Sequence, residues 1–165
     1  MHSDMRFSGH LVALRLATTR IADTFFTWGL RNGERGRAVS RNKDPIPWER
    51  HLAWFKAFTE VHGQALYIVD IPAMQGLRIG TGRIHHVDQD DCEISYMLSE
   101  AATGQGVGTW LVAQLCKKAS HFHYANVIAE VQPDNLTSCH VLEKNGFHLE
   151  STNTSDLIRY QKSLA

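Results

Sequence analysis

Residues 103–109 read Thr103-Gly104-Gln105-Gly106-Val107-Gly108-Thr109, a glycine-rich run between a predicted strand and a predicted helix. Glycines at this spacing let successive backbone N–H groups face one concavity. The positive end of the following helix dipole adds to that field, so the turn is a place for phosphate. Taken alone, a run of this kind is explained equally well as a chain reversal. Spacing excludes two familiar phosphate chemistries. A nucleotide-triphosphatase loop needs Gly-Lys-Ser/Thr, and a dinucleotide fingerprint needs a third glycine three places after the second, where Thr109 or Leu111 stands. Further along, Asn135-x-x-Ser138 precedes Glu143-Lys144-Asn145-Gly146-Phe147, and Glu93 stands near the start of a predicted strand. Ten histidines raise the question of a metal. His85 and His86 are adjacent and point to opposite faces of a strand, and His121-x-His123 has no carboxylate pair nearby, so no metal site is expected. Cys139-His140 is no nucleophile pair either, since neighbouring helical residues diverge by about 100°.

The elements that must position these residues follow from periodicity and punctuation. Leu11 to Ala17 alternate as an opening strand, and Thr19 is placed to cap a helix running to about Asn32, with Gly33 as its stop. Residues 33–44 are polar and Arg-rich, a loop by composition. Pro47 suits a first helical turn, and Trp48, Leu52, Phe55 and Phe58 recur at helical spacing up to Gly63. Strands are predicted at Ala65 to Ile71, Leu77 to Val87 and Cys92 to Leu98. A helix follows from Gly108, with Leu111, Leu115 and Phe122 on one face. Val127 to Val131 is a short buried strand closed by Pro133. Asp134 or Asn135 caps the next helix, Gly146 ends it, and strands at Phe147 to Glu150 and Leu157 to Lys162 finish the chain. The order βααβββαβαββ implies an α/β chain with a mixed, mostly antiparallel central sheet flanked by helices.

Composition bounds the partners. With 165 residues and 43% hydrophobic content, residues 1–165 are expected to form a single domain. Seventeen basic residues balance seventeen acidic ones, which argues against nucleic acid or an anionic membrane and for a small or medium-sized ligand. Cys92, Cys116 and Cys139 form no Cys-x-x-Cys pair, which fits a reducing cytoplasm. The N-terminal stretch has no long apolar core before a small-residue cleavage site, so neither secretion nor membrane insertion is expected.

The turn resembles the Arg/Gln-x-x-Gly-x-Gly/Ala motif of the GNAT superfamily of acetyl-CoA-dependent N-acyltransferases, with Gly106 and Gly108 as its glycines and Thr103 where Arg or Gln is usual. The family's second motif, Asn-x-x-Ser/Ala followed by Glu-Lys-x-Gly-Phe, is matched by Asn135, Ser138, Glu143, Lys144, Gly146 and Phe147. The element order is similar too, so the resemblance spans nearly the whole chain. It implies acetyl-CoA as donor, with Gln105, Gly106, Val107, Gly108 and Thr109 around the diphosphate. Met97 and Leu98 then offer backbone groups to the pantetheine arm, and Asn135 and Ser138 lie nearby. The strands 92–98 and 127–131 are expected to splay apart there.

The same resemblance makes Glu93 the candidate base and the Leu98 N–H the oxyanion donor. Glu93 is equally well an exposed strand-end carboxylate, and Ser138 an ordinary first-turn serine. Leu142 stands where tyrosine commonly serves as the acid, which leaves Ser138, Tyr96 or water as donors to the leaving thiol. A thiol of pKa roughly 8.5 is a tolerable leaving group without one.

Trp28, Arg31-Asn32, Arg37, Ser40, Ile46, Glu49, His51 and Trp54-Phe55 resemble the pattern of members that acetylate nucleotide-linked amino sugars. In that case Arg31, Arg37 and His51 would meet phosphates. The Asn-x-x-Ser helix also resembles acetyltransferases of ribosomal-protein N-termini. A non-catalytic acyl-CoA sensor is the rival from another class. An exposed sheet edge or the aromatic second helix would suit a homodimer.

Overall fold

The computed structural model describes residues 4–151 and 157–164. The first three residues of the N-terminal stretch read above lie outside them. Two short strands, β1 (Arg6–Phe7) and β2 (His10–Leu11), form a hairpin turned at Ser8 and Gly9, both in the left-handed region. β3 (Ala13–Leu16) starts afresh after Val12, whose N–H donates to Met5 O. The single opening strand expected at Leu11 to Ala17 is therefore two pieces.

Helix α1 (Ile21–Asn32) has Arg20, not Thr19, at its N-cap and no side-chain cap. A side chain one turn in does that work. Asp23 is 1% exposed and accepts from the Thr18 N–H and hydroxyl, from Arg15 at 2.7 and 2.9 Å, and from Arg78 at 2.7 Å. Arg15 also bonds Asp70 at 2.7 Å, so the network fastens α1 to three strands. Burial alone would raise the Asp23 carboxyl, but the bonds from Arg15, Thr18 and Arg78 hold it well below the carboxylate range.

A short helix, α2 (Glu34–Ala38), occupies the stretch expected to be loop. It packs so closely on the end of α1 that a Cβ at Gly36 would lie 2.1 Å from Leu30 O. Helix α3 (Trp48–Thr59) follows Pro47, which sits at the N-cap and not in the first turn.

The remaining elements are β4 (Ala65–Ile71), β5 (Leu77–His86), β6 (Asp91–Leu98), α4 (Val107–His121), β7 (Asn126–Val131), α5 (Leu136–Lys144), β8 (His148–Ser151) and β9 (Ile158–Ser163), with 3₁₀ turns at Pro72–Met74 and Glu100–Ala102. Among the described residues β3 to β9 form one seven-stranded sheet in the order β3-β4-β5-β6-β7-β9-β8, antiparallel at every pair except β6–β7. The expected mixed, mostly antiparallel sheet flanked by helices is the observed architecture.

β4 shows how the two faces are divided. All seven of its residues are buried, with Ala65, Tyr67, Val69 and Ile71 in the main core and Leu66 packed with Phe55 and Phe58 of α3. The main core also holds Leu111 and Leu115 of α4, each fully buried, a burial worth about 2 kcal/mol per side chain. A Cβ at Gly82 would lie 3.0 Å from Leu115, so α4 rests directly on the backbone of β5.

Candidate active site

The parallel pairing of β6 with β7 stops early. It covers Asp91↔Asn126, Cys92↔Val127 and Glu93↔Ile128, and then the strands part, while β6 stays paired to β5 as far as Leu98↔Gly80. One side of Tyr96, Met97 and Leu98 therefore faces a wedge-shaped gap. The splay expected from sequence is present.

At the open end of the wedge lies the glycine turn. Gly104 and Gly106 have φ of 72° and 79°, and a Cβ built on either meets nothing within 4 Å, so the face of the turn is clear. The first helical hydrogen bond of α4 runs from Trp110 N–H to Gly106 O, which leaves the N–H groups of Val107, Gly108 and Thr109 without an acceptor in the helix. No side chain caps α4 and no acidic residue lies in its first turn. Unspent donors at an uncompensated positive helix end suit a diphosphate. Thr103, the departure from the family motif, donates its hydroxyl to Ser99 O and tightens the preceding 3₁₀ turn.

A cleft of about 550 Å³ runs from this turn to the wedge, lined by Gly106, Gly108, Thr109, Met97 and Leu98 on one side and Asn135 and Ser138 of α5 on the other. Seven of the cofactor residues expected from sequence thus share one cavity. Two do not line it: Gln105 is exposed, and the Val107 side chain is fully buried in the core, where only its N–H remains for a ligand. Asn135 is the cap of α5, its Oδ1 accepting from Ser138 N–H at 3.2 Å.

A second cleft, of about 890 Å³, opens on the other face of β5 and β6. Thr81, Arg83, His85, Glu93, Ser95 and Met97 form its floor. Strand alternation and the register His85↔Glu93 and Arg83↔Ser95 set these side chains on one face. The two clefts meet at Val39, Tyr96, Met97, Asn135 and Ser138. Glu93 sits where the β6–β7 pairing ends, at the apex of the wedge and inside the second cleft.

Arg83 was not foreseen. Its guanidinium lies 5.9 Å from the ring centre of Trp54 and 5.7 Å from that of Phe58, and its enclosed Nε has no hydrogen-bond partner. Burial lowers its pKa, opposed by the charge of Glu93. The signal was in the sequence: Thr81, Arg83 and His85 alternate with Gly82 and the buried Ile84, a polar row on a strand whose other face is core.

The aromatic and basic residues of the first half divide into two groups. Trp28 Nε1 and Asn32 Nδ2 both donate to Ile46 O, at 2.7 and 2.8 Å, and the Ile46 N–H returns a bond to Asn32 Oδ1. Arg31 donates to Asn42 O. These residues lash the 40–46 segment over the second cleft, and the Trp28 and Asn32 groups that hold Ile46 are spent doing so. His51 is 3% exposed, shares a 3.0 Å hydrogen bond with Thr27 Oγ1, and is held below its ordinary pKa chiefly by burial, with Arg31 adding to the effect. With almost no surface exposed and one ring nitrogen held by Thr27, it packs into this wall. Arg31 Nη1 and Arg37 Nε are enclosed without partners, and burial together with the nearby charge of Arg37 lowers the Arg31 pKa.

Leu142 is 1% exposed and belongs to the core. Tyr96 and Ser138, one helical turn before Leu142, share a hydroxyl hydrogen bond of 3.2 Å at the junction of the clefts. Burial raises the Tyr96 pKa, opposed by the bond to Ser138.

A forked sheet with an uncapped helix mouth set against the fork offers room and donors for an extended, anionic ligand. The chain belongs to the GNAT acetyltransferase family, whose domain model matches residues 12–148. It is accordingly an enzyme whose acetyl donor is acetyl-CoA. YwnH of Bacillus subtilis, provisionally named a phosphinothricin acetyltransferase, is 26% identical over 116 residues, 67% of this chain and 69% of its own length. Two solved structures share the fold with a TM-score of 0.78. One is a phosphinothricin acetyltransferase of Sinorhizobium meliloti in complex with acetyl-CoA (20% identity, 93% of this chain and 88% of that one). The other is YncA of Salmonella typhimurium with acetyl-CoA (18% identity, 93% and 94%).

Proposed function

We propose that this enzyme acetylates the primary amine of a small anionic molecule, which it anchors through Arg83, with an amino sugar linked to a nucleotide as the foremost member of that class. The Arg83 guanidinium at the floor of the second cleft, its Nε without a hydrogen bond, carries this reading. A half-buried cation with an unfilled donor gains from a ligand anion that accepts from it. Arg31, with the charge of Arg37 close by, lines another part of the same cleft, so an acceptor with two separated negative groups is the best match. A diphosphate-linked sugar has them, and the phosphinothricin named for the relatives belongs in the same screen.

Acetyl-CoA, when bound, supplies the activated acetyl group. The first-turn N–H groups of α4 and the open face of Gly104 and Gly106 hold its diphosphate, Met97 and Leu98 hold its arm, and Asn135 and Ser138 close the other wall. Glu93 takes the proton from the amine, and the Leu98 N–H steadies the oxyanion.

A screen for free-thiol release with amino-sugar nucleotides, phosphinothricin and N-terminal peptides of ribosomal proteins tests the acceptor. Turnover of an anionic acceptor is expected, and Arg83→Met should raise its KM about tenfold or more while leaving the KM for acetyl-CoA alone. Turnover of the peptides alone would replace this reading with N-terminal acetylation. Tight acetyl-CoA binding with no acceptor turned over would favour a sensor.

A further inference from the structure

We infer that Arg35 of α2 binds the diphosphate of acetyl-CoA and supplies the side-chain contact that Thr103 does not. The inference rests on the donor lying in the first cleft. Where the family motif carries Arg or Gln this chain has Thr103, whose hydroxyl is spent on Ser99 O at 3.2 Å. The mouth of α4 offers N–H groups and the helix dipole, together equivalent to about half a positive charge. A doubly charged diphosphate is therefore only partly answered by the backbone. Four charged residues line the cleft, Glu34, Arg35, Glu100 and Lys144. Their charges cancel in sum, so a gain in affinity depends on a base reaching the phosphates in the right geometry. Arg35 has the planar fork that meets two phosphate oxygens at once, whereas Lys144 on α5 presents a point charge. Among the described residues Arg35 forms no ion pair, so neither acid of the cleft competes for its guanidinium.

The packing of α2 explains why this arginine belongs to the donor side. A Cβ at Gly36 would lie 2.1 Å from Leu30 O and 2.8 Å from Arg31 O, so the backbone of α2 rests directly on the end of α1 and cannot roll. The Val39 N–H donates to Arg35 O at 3.2 Å, which closes the turn behind it. Helical residues two apart diverge by about 200°, so Arg35 and Arg37 leave α2 in nearly opposite directions. Arg35 accordingly lines the cleft that holds Gly104, Gly106 and Thr109, while the charge of Arg37 is felt at Arg31, which lines the other cleft. One short helix thus presents an arginine to each side, and its docking through Gly36 fixes which side each one serves.

The test is calorimetry of the full-length protein with acetyl-CoA and with its 3′-dephospho form, which keeps the diphosphate and loses the other phosphate. Arg35→Gln should bind acetyl-CoA about tenfold more weakly than the wild type in low salt. The deficit should shrink in about 0.5 M KCl, because screening weakens the charged contact that only the wild type has. The same tenfold ratio between wild type and variant is expected with the 3′-dephospho form. Thr103→Arg added to Arg35→Gln should recover most of the lost affinity by returning a cation to the turn. Equal affinity of wild type and Arg35→Gln would overturn the inference, as would a deficit that vanishes with the 3′-dephospho form, since the contact would then be to the other phosphate. A wild type that binds neither ligand would instead overturn the placing of the donor in this cleft.

Discussion

The donor and acceptor clefts share five lining residues but are built from different material. The donor side is mainly backbone: helix N–H groups, two glycines in the left-handed region, and strand edges left open by the fork. The acceptor side is mainly side chain: Arg83 and Glu93 on strands, Arg31 and His51 on helices, and Arg41 of the lashed segment paired with Glu130 of β7. A backbone receptor depends on a few residues close together in sequence, whereas a side-chain receptor collects distant ones. The first can be read as a motif, and the second becomes visible once strands are placed in register.

The division can be broken most sharply at Gly106. Gly106→Glu puts a carboxylate where the diphosphate belongs and should weaken acetyl-CoA binding about a thousandfold, measured by calorimetry. Gly106→Ala, equally strained at φ 79° but uncharged, should lose far less, which separates blockade from strain. Equal losses would mean that the turn binds no anion.

Asp23 probes the scaffold of the acceptor wall. Asp23→Asn leaves Arg78 without its ion pair and Arg15 with Asp70 alone, and should cost about 3 kcal/mol at pH 7 in urea unfolding. The folded-state pKa of Asp23 is depressed, so its contribution is complete above the unfolded value near pH 4 and is lost as the pH falls below it. The gap between wild type and variant should therefore narrow from pH 5 towards pH 2. A constant gap would show that the charge is not what matters.

Glu93→Gln, at the meeting of the two sides, should lower turnover about 100-fold near neutral pH and abolish the acid limb of the pH–rate profile while acetyl-CoA affinity holds. An unchanged profile on the true acceptor would remove Glu93 as the base.

The β4–β6 meander, the mouth of α4 and the Asn135 cap were legible because each is specified within a few residues by alternation, glycine or a capping side chain. The N-terminal hairpin was not, since two-residue strands carry no periodicity. Helix α2 was hidden because its five residues, Glu-Arg-Gly-Arg-Ala, are polar and contain a glycine that tertiary packing requires and local propensity resists. Thr19 lost the cap to a network whose partners, Arg15, Asp70 and Arg78, come from three strands. In the acceptor cleft the aromatic pattern was recognisable. Trp28 and Asn32 hold a segment in place there, and Arg83 lies on a strand that the pattern did not include.

The segment lashed by Trp28, Arg31 and Asn32 is held at Asn42 O, Ile46 O and Ile46 N–H, all main-chain atoms. These three moorings are thus indifferent to which residues the segment displays, and the Arg41–Glu130 ion pair adds one that is not. Lys43 and its neighbours are free to be exchanged over generations while the lip stays at the same height above the cleft, so new acceptors can be trialled without disturbing the donor machinery on the opposite face.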